Sequence, residues 1–213
     1  MHVSDGMLPP GFCAGGYAGS AALAWLSVTR AKKVYGNIER MVPRASVMAA
    51  AFFVVSWIHV PFPVVSVHPL LVGLMGALLG WMAFPAVMIA LFFQAVMFGH
   101  GGFTTLGVNS VTMGGAALVS MAVYRAIGRG SGGKREFTAG LAAGFTGVVS
   151  AAAATTAVLL LGLPSYVDPE AERAAVSTMV LCHVPLAVVE GLFTASVMKF
   201  LAAVSPEMVE GNG

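Results

Sequence analysis

Seven runs of apolar residues, each closed off by charge, proline or glycine, leave this chain few ways to fold. They lie near 12–29, 45–60, 69–82, 84–98, 107–127, 138–163 and 174–203. A hydrocarbon layer about 30 Å thick takes ~20 apolar residues of helix, fewer where the bilayer thins locally. Within lipid, only helices and closed barrels satisfy their own backbone polar groups. The runs therefore predict an all-α membrane protein of about seven transmembrane helices, forming a single unit over 1–213. A water-soluble domain is excluded by composition: 58% of the residues are hydrophobic and 9% are charged, against roughly 25% charged in soluble domains. The net charge of +2 comes from segregated cations rather than a pooled patch, which gives nucleic acid no footing. Cys13 and Cys182 are too few for a disulfide framework and read as small apolar helix residues.

The division between 69–82 and 84–98 rests on Phe84-Pro85, with Pro85 suited to the first turn of a new helix. The cations test that division. Arg30, Lys32, Lys33, Arg40 and Arg44 fall in the first connection, Arg125, Arg129, Lys134 and Arg135 in the fifth, and Lys199 at the end of the last run. Seven spans place all ten on one face and leave Arg173 opposite, whereas merging the third and fourth runs would split them. By the positive-inside rule the N-terminus is then extracytoplasmic and the C-terminus cytoplasmic. The segment from Met1 to Phe12 contains no Lys or Arg, so it does not read as a secretory signal. A bulky histidine at position 2 hinders removal of the initiator, and the expected mature terminus is Met1 itself.

That placement of His2 has chemical content. An α-amine, the amide nitrogen of residue 2 and its imidazole can chelate one ion in consecutive five- and six-membered rings. A fourth nitrogen would complete a square-planar site, the geometry typical of Ni(II) or Cu(II). The competing reading is an incidental polar residue on a frayed terminus. The topology gathers more imidazoles: His2, His59, His68 and His100 all fall near the external face, with only His183 deeper. Ser66-Val67-His68-Pro69 follows Pro61-Phe62-Pro63 in a short external loop, placed to meet the terminus.

Several stretches carry a family resemblance: Met1-His2-Val3-Ser4-Asp5-Gly6; Ser66-Val67-His68-Pro69; Gln94-Ala95-Val96-Met97-Phe98-Gly99-His100-Gly101-Gly102; Thr105-Leu106-Gly107-Val108-Asn109; and His183-Val184-Pro185-Leu186-Ala187-Val188-Val189-Glu190-Gly191. Across nearly its whole length the chain resembles the substrate-specific membrane component of energy-coupling-factor cobalt and nickel transporters, the CbiM/NikM type. The resemblance implies a divalent-metal site made by the Met1 amine, the His2 amide nitrogen and imidazole, and His68. It also implies a first helix, additional to vitamin-specific relatives, that lets the N-terminus enter an outer cavity. Implied partners are a transmembrane coupling subunit, two ATP-binding subunits and a small accessory membrane subunit, in the inner (plasma) membrane of a prokaryotic cell. The chain departs from the family pattern at Val64-Val65-Ser66, before His68, and at His59, where an asparagine is usual.

Four nitrogens and no thiolate suit Ni(II) on geometry and accommodate Co(II), while Zn(II) prefers a tetrahedron. The ion is cargo, and no cofactor is expected. Ligand histidines commonly donate their second ring nitrogen to an outer group. Asp5 is the first candidate for that role, with a helix-lead cap as its alternative; Gln94, His100 and Asn109 are further candidates. His183 and Glu190, seven residues apart, share a helix face and admit two readings, a relay or an anchor within the bundle. Small residues recur at four-residue steps, Ala14, Ala18 and Ala22, then Ala45 and Ala49, permitting close helix approach. In the family such faces dock the coupling subunit; packing within this chain is the alternative. No GxxxxGK[ST] motif occurs, so ATP must be held elsewhere. The other functions considered are an intramembrane metal-dependent enzyme, for which HExxH is absent, and a passive metal channel, for which rings of charge along a pore are absent.

Overall fold

The computed structural model describes residues 2–58, 60–61, 66–128, 133–162 and 169–210. Seven helices form a bundle: α1 (Pro10–Tyr35), α2 (Val42–Val55), α3 (Val72–Leu79), α4 (Ala83–Phe98), α5 (Leu106–Gly128), α6 (Gly133–Gly162) and α7 (Pro169–Val204). A one-turn α8 (Glu207–Glu210) follows. Between α2 and α3 two short strands, β1 (Val60–Pro61) and β2 (Ser66–Val67), pair antiparallel, with Val60 opposite Val67.

Local chemistry sets the ends. Proline opens α1 and α2, where its missing N–H is no loss. Gly36, at φ 66°, closes α1 by returning its N–H to Lys32 at 3.1 Å. α1 runs past the apolar stretch 12–29 because Arg30, Lys32 and Lys33 continue the helix. The Arg30 guanidinium lies 5.7 Å from the centre of the Trp81 ring, so its charge is spent on an aromatic face. α3 starts only at Val72, because Leu71 is left-handed at φ 51°.

The third and fourth runs are separate helices, as the charge distribution required, although the break falls at Gly80–Met82 rather than at Phe84-Pro85. By length and composition Val72–Phe98 would make one crossing of 27 residues, about 40 Å at 1.5 Å per residue. Yet the His68 and His100 rings that flank it lie 5.8 Å apart. The chain must double back, and it does so at Gly80, whose φ is 56°. Of the other stretches described, Leu106–Gly128, Gly133–Gly162 and Ser177–Val204 are long and apolar enough to cross a membrane.

The helices alternate in direction, so the bundle has two distinct ends. At one, His2, His68 and His100 meet, and Gly162 abuts Leu8. At the other, the Tyr35 hydroxyl accepts from Arg125 Nη2 at 3.0 Å and from the Trp81 N–H at 3.3 Å, and Arg44 donates to the Met208 carbonyl. The first and last described residues therefore sit at opposite ends. Met75, Leu79, Phe84, Val87, Met113 and Val148 fill the interior, while Trp25, Val47, Leu161 and Leu181 are 72, 69, 78 and 73% exposed. A bundle this apolar on its outside is matched to lipid, and the chain is a multi-pass membrane protein.

Candidate metal centre

Residues 2–5 precede α1 and carry no regular structure, yet they are held at many points. The Val3 N–H donates to Asn109 Oδ1 at 2.9 Å, and Asn109 Nδ2 donates back to the Val3 carbonyl at 3.0 Å. One amide at the start of α5 thus clasps both polar groups of a single residue, and both partners are buried. The Thr105 hydroxyl lies 2.7 Å from the Val3 carbonyl and 2.6 Å from that of Gly101, with one proton to give. Asp5 anchors the other side. Its carboxylate accepts from the N–H groups of Phe103 (3.0 Å), Thr104 (2.8 Å) and Thr105 (3.4 Å), and from the Thr104 hydroxyl (2.6 Å). These are the unsatisfied donors that lead into α5, where a carboxylate is favoured. The Thr104 hydroxyl and the backbone donors hold the Asp5 carboxyl below the ordinary value of 3.8. Gly102, at φ 91°, is obligatory here, since a Cβ would fall on the Asp5 carboxylate.

So clasped, the segment turns His2 inward. Neither His2 ring nitrogen makes a hydrogen bond with a described residue, although both are buried. Burial pushes its pKa well below 6.5, and the neighbouring His100 and His68 add to the effect. The ring is therefore neutral at neutral pH, the form that binds metal. His68, 3% exposed, reaches the same point from the loop before α3. Its Nδ1 lies 3.1 Å from the Pro69 carbonyl. A carbonyl only accepts, so Nδ1 carries the proton, and in the neutral ring Nε2 then carries the lone pair. His100 arrives from the turn after α4, where Gly99, Gly101 and Gly102 all have positive φ.

One ring nitrogen from each of His2, His68 and His100 lies within 4.8 Å of the other two. His2 stacks on His68 at 5.4 Å between ring centres and meets His100 edge-on at 4.3 Å. Nitrogens at about 2.0–2.1 Å from a shared ion would be ~3 Å apart when adjacent and ~4 Å when opposite. Shortening these separations by up to ~2 Å, about 1 Å of movement per nitrogen, would bring the three onto one cation. Trp57, 6.4 Å from His100, walls the cluster on one side.

The anticipated residues thus fall into four groups. His2 and His68 are brought together, and His100, expected as an outer group, stands as close to His2 as His68 does. Gln94 is fully buried on α4. Its Nε2 donates to Ser56 Oγ at 2.6 Å, while its Oε1 is buried without a hydrogen-bond partner; the side chain is near enough to His2 to oppose the depressed pKa. An acceptor with no donor, facing a ring with a proton to place, suits the second nitrogen of a ligand histidine. Asp5 and Asn109 differ from expectation. The Asp5 carboxylate is occupied by the turn at Phe103–Thr105 rather than set against the His2 ring, and Asn109 holds backbone. Both position the terminus. Met1 and His59 lie outside the described residues. Thr104 was not anticipated, and Thr105 was not anticipated in a supporting role; the glycines crowding His100 were the one local sign that this turn is shaped around something.

Residues 2–208 match the family model described as the cobalt uptake substrate-specific transmembrane region, CbiM. A putative metal transport protein of Haemophilus influenzae is 34% identical over 212 residues, covering 98% of this chain and 97% of that one. The fused nickel transport protein NikMN of Rhodobacter capsulatus is 32% identical, over 98% of this chain and 64% of its own length. A solved structure, the crystal structure of a transition metal transporter, superposes with a TM-score of 0.77 at 27% identity, covering 97% of this chain and 95% of that one. With the fold and nearly the full length matched, the chain belongs to the CbiM family of cobalt-uptake substrate-specific transmembrane proteins.

Proposed function

We propose that this protein is the substrate-capture component of an energy-coupling-factor importer for Ni2+ or Co2+. The ion is bound at the outer face by the Met1 amine, the amide nitrogen and imidazole of His2, and His68, with His100 alongside. It is then delivered to the cytoplasm by reorientation driven by two ATP-binding subunits through a transmembrane coupling subunit, with a small accessory membrane subunit completing the assembly. The protein sits in the inner (plasma) membrane of a prokaryotic cell with its histidine end outward. The concentration of described cations at the opposite end, Arg30, Lys32, Lys33, Arg40, Arg44, Arg125, Lys134, Arg135 and Lys199, supports this orientation. The observation that carries the reading is the cluster of three imidazoles at an N-terminal segment clasped by Asn109 and Asp5. The names of the cobalt and nickel transport relatives support the choice of ion.

Three proteins test it: the native start, a version with one residue added before Met1, and His68→Ala. Ni2+ content and cellular uptake are measured for each in the presence of the transporter's other subunits. The extension turns the terminal amine into an amide and moves the imidazole out of register, and it should abolish uptake, as should His68→Ala. Unchanged uptake by the extended protein would remove the terminal amine from the ligand set.

A further inference from the structure

Glu190 is a carboxylate in the middle of α7, 3% exposed, in a helix otherwise lined with apolar residues. Such a group is expensive in a membrane and calls for a partner. Its partners are two backbone N–H groups: Oε1 accepts from Leu70, and Oε2 accepts from Leu71 at 2.9 Å. It reaches them past α6, where Gly144 leaves room: a Cβ on that residue would sit 2.6 Å from the Glu190 carbonyl oxygen. Leu71 is the only described non-glycine residue with positive φ, a conformation leucine resists, so its backbone is held there by contacts.

The Leu70 N–H and the Pro69 carbonyl belong to the same planar peptide unit. Glu190 grips that unit by its N–H, and His68 Nδ1–H grips it by its oxygen. A carboxylate accepting from the N–H draws electron density toward the carbonyl oxygen, which makes that oxygen a stronger acceptor for the imidazole proton. We infer that Glu190 is a positioning residue for the metal site, acting through the Pro69–Leu70 peptide to fix the tautomer and orientation of His68. The arrangement is a carboxylate–histidine pairing with one peptide group interposed. It rests on the reading that His68 is a ligand.

The test uses Glu190→Gln in the full chain, purified in detergent, with Ni2+ as the probe. The amide replaces one acceptor by a donor that faces a backbone N–H, so the two-point grip cannot survive. Ni2+ affinity, measured by competition with a chelator, should fall about tenfold or more, as for loss of an outer-shell partner. In protein labelled with 15N-histidine, the metal-free wild type should show His68 protonated on Nδ1, and Glu190→Gln should lose that signature. Wild-type affinity together with an unchanged His68 signature in Glu190→Gln overturns the inference. Should the variant fail to fold, the wild-type spectrum alone decides, since a proton on Nε2 in the metal-free protein overturns it equally. If His68→Ala binds Ni2+ as well as wild type, the ligand assignment itself fails. A loss with His68→Ala and none with Glu190→Gln removes only the role of Glu190.

Discussion

Replacing Asn109 by alanine isolates the docking of the N-terminal segment from the chemistry of the ligands. The substitution removes two buried hydrogen bonds to Val3. The Val3 carbonyl still has the Thr105 hydroxyl at 2.7 Å, but the Val3 N–H has no other partner among the described residues. Losing the bond costs about 1 kcal/mol, and stranding a buried donor adds ~1–3 kcal/mol. The docked segment should therefore be weakened by about 2–4 kcal/mol, roughly 30- to 1,000-fold in its docking equilibrium. With the proposed site formed only in the docked state, apparent metal affinity falls by whatever part of that shift depletes the docked population. Ni2+ affinity measured by chelator competition should drop at least tenfold, while thermal stability of the bundle changes little, because the lost bonds lie at one end of it. Ni2+ affinity within threefold of wild type, from a folded Asn109→Ala protein, would refute the claim that this clasp presents His2.

Three other outcomes follow from the same geometry. Gly102→Ala sets a Cβ against the Asp5 carboxylate at a φ of 91°, adding strain of about 1–3 kcal/mol; the N-terminal segment should become sensitive to aminopeptidase, and unchanged resistance would count against the Asp5 anchor. Gln94→Leu should lower Ni2+ affinity ~10- to 100-fold if Oε1 receives the second proton of a ligating His2, read by the same competition assay. The pH dependence has a definite sign: the docked His2 ring has a depressed pKa, so well above pH 6.5 this ring is neutral whether docked or free and adds no pH dependence to docking. Below 6.5 the free terminus takes up a proton that the docked one refuses, so docking weakens by up to about 1.4 kcal/mol per pH unit. Aminopeptidase sensitivity of the metal-free protein should rise below pH 6.5, and His2→Ala should remove that rise.

Much of this architecture was legible in the sequence because lipid imposes it. Apolar runs bounded by cations fixed where helices lie, and the parity of crossings brought His2, His68 and His100 to one end. What the sequence concealed were contacts between residues far apart along the chain. Nothing near Asp5 reveals that its carboxylate will meet the donors at Phe103–Thr105 about a hundred residues on, and a local cap was the natural alternative. The anchoring reading of Glu190 agrees with the structure, but its partners Leu70 and Leu71 depend on how α7 passes α6. His100 was ranked with outer groups because spacing alone cannot say how far a turn leans. The delayed start of α3 came from Leu71, whose left-handed backbone no propensity would assign to leucine.

The doubling back at Gly80 bears on how the chain is made. Eight residues of α3 are too few to be threaded across a bilayer alone, so α3 and α4 must enter as a pair during synthesis. A continuous helix over the same stretch would invert every later segment and carry Arg125, Lys134 and Arg135 to the end where His2, His68 and His100 meet. Glycine at the hairpin tip, with the Tyr35 hydroxyl crowding the place a side chain would take, makes that error hard to commit; the handedness of one backbone torsion helps decide which way up the protein is born.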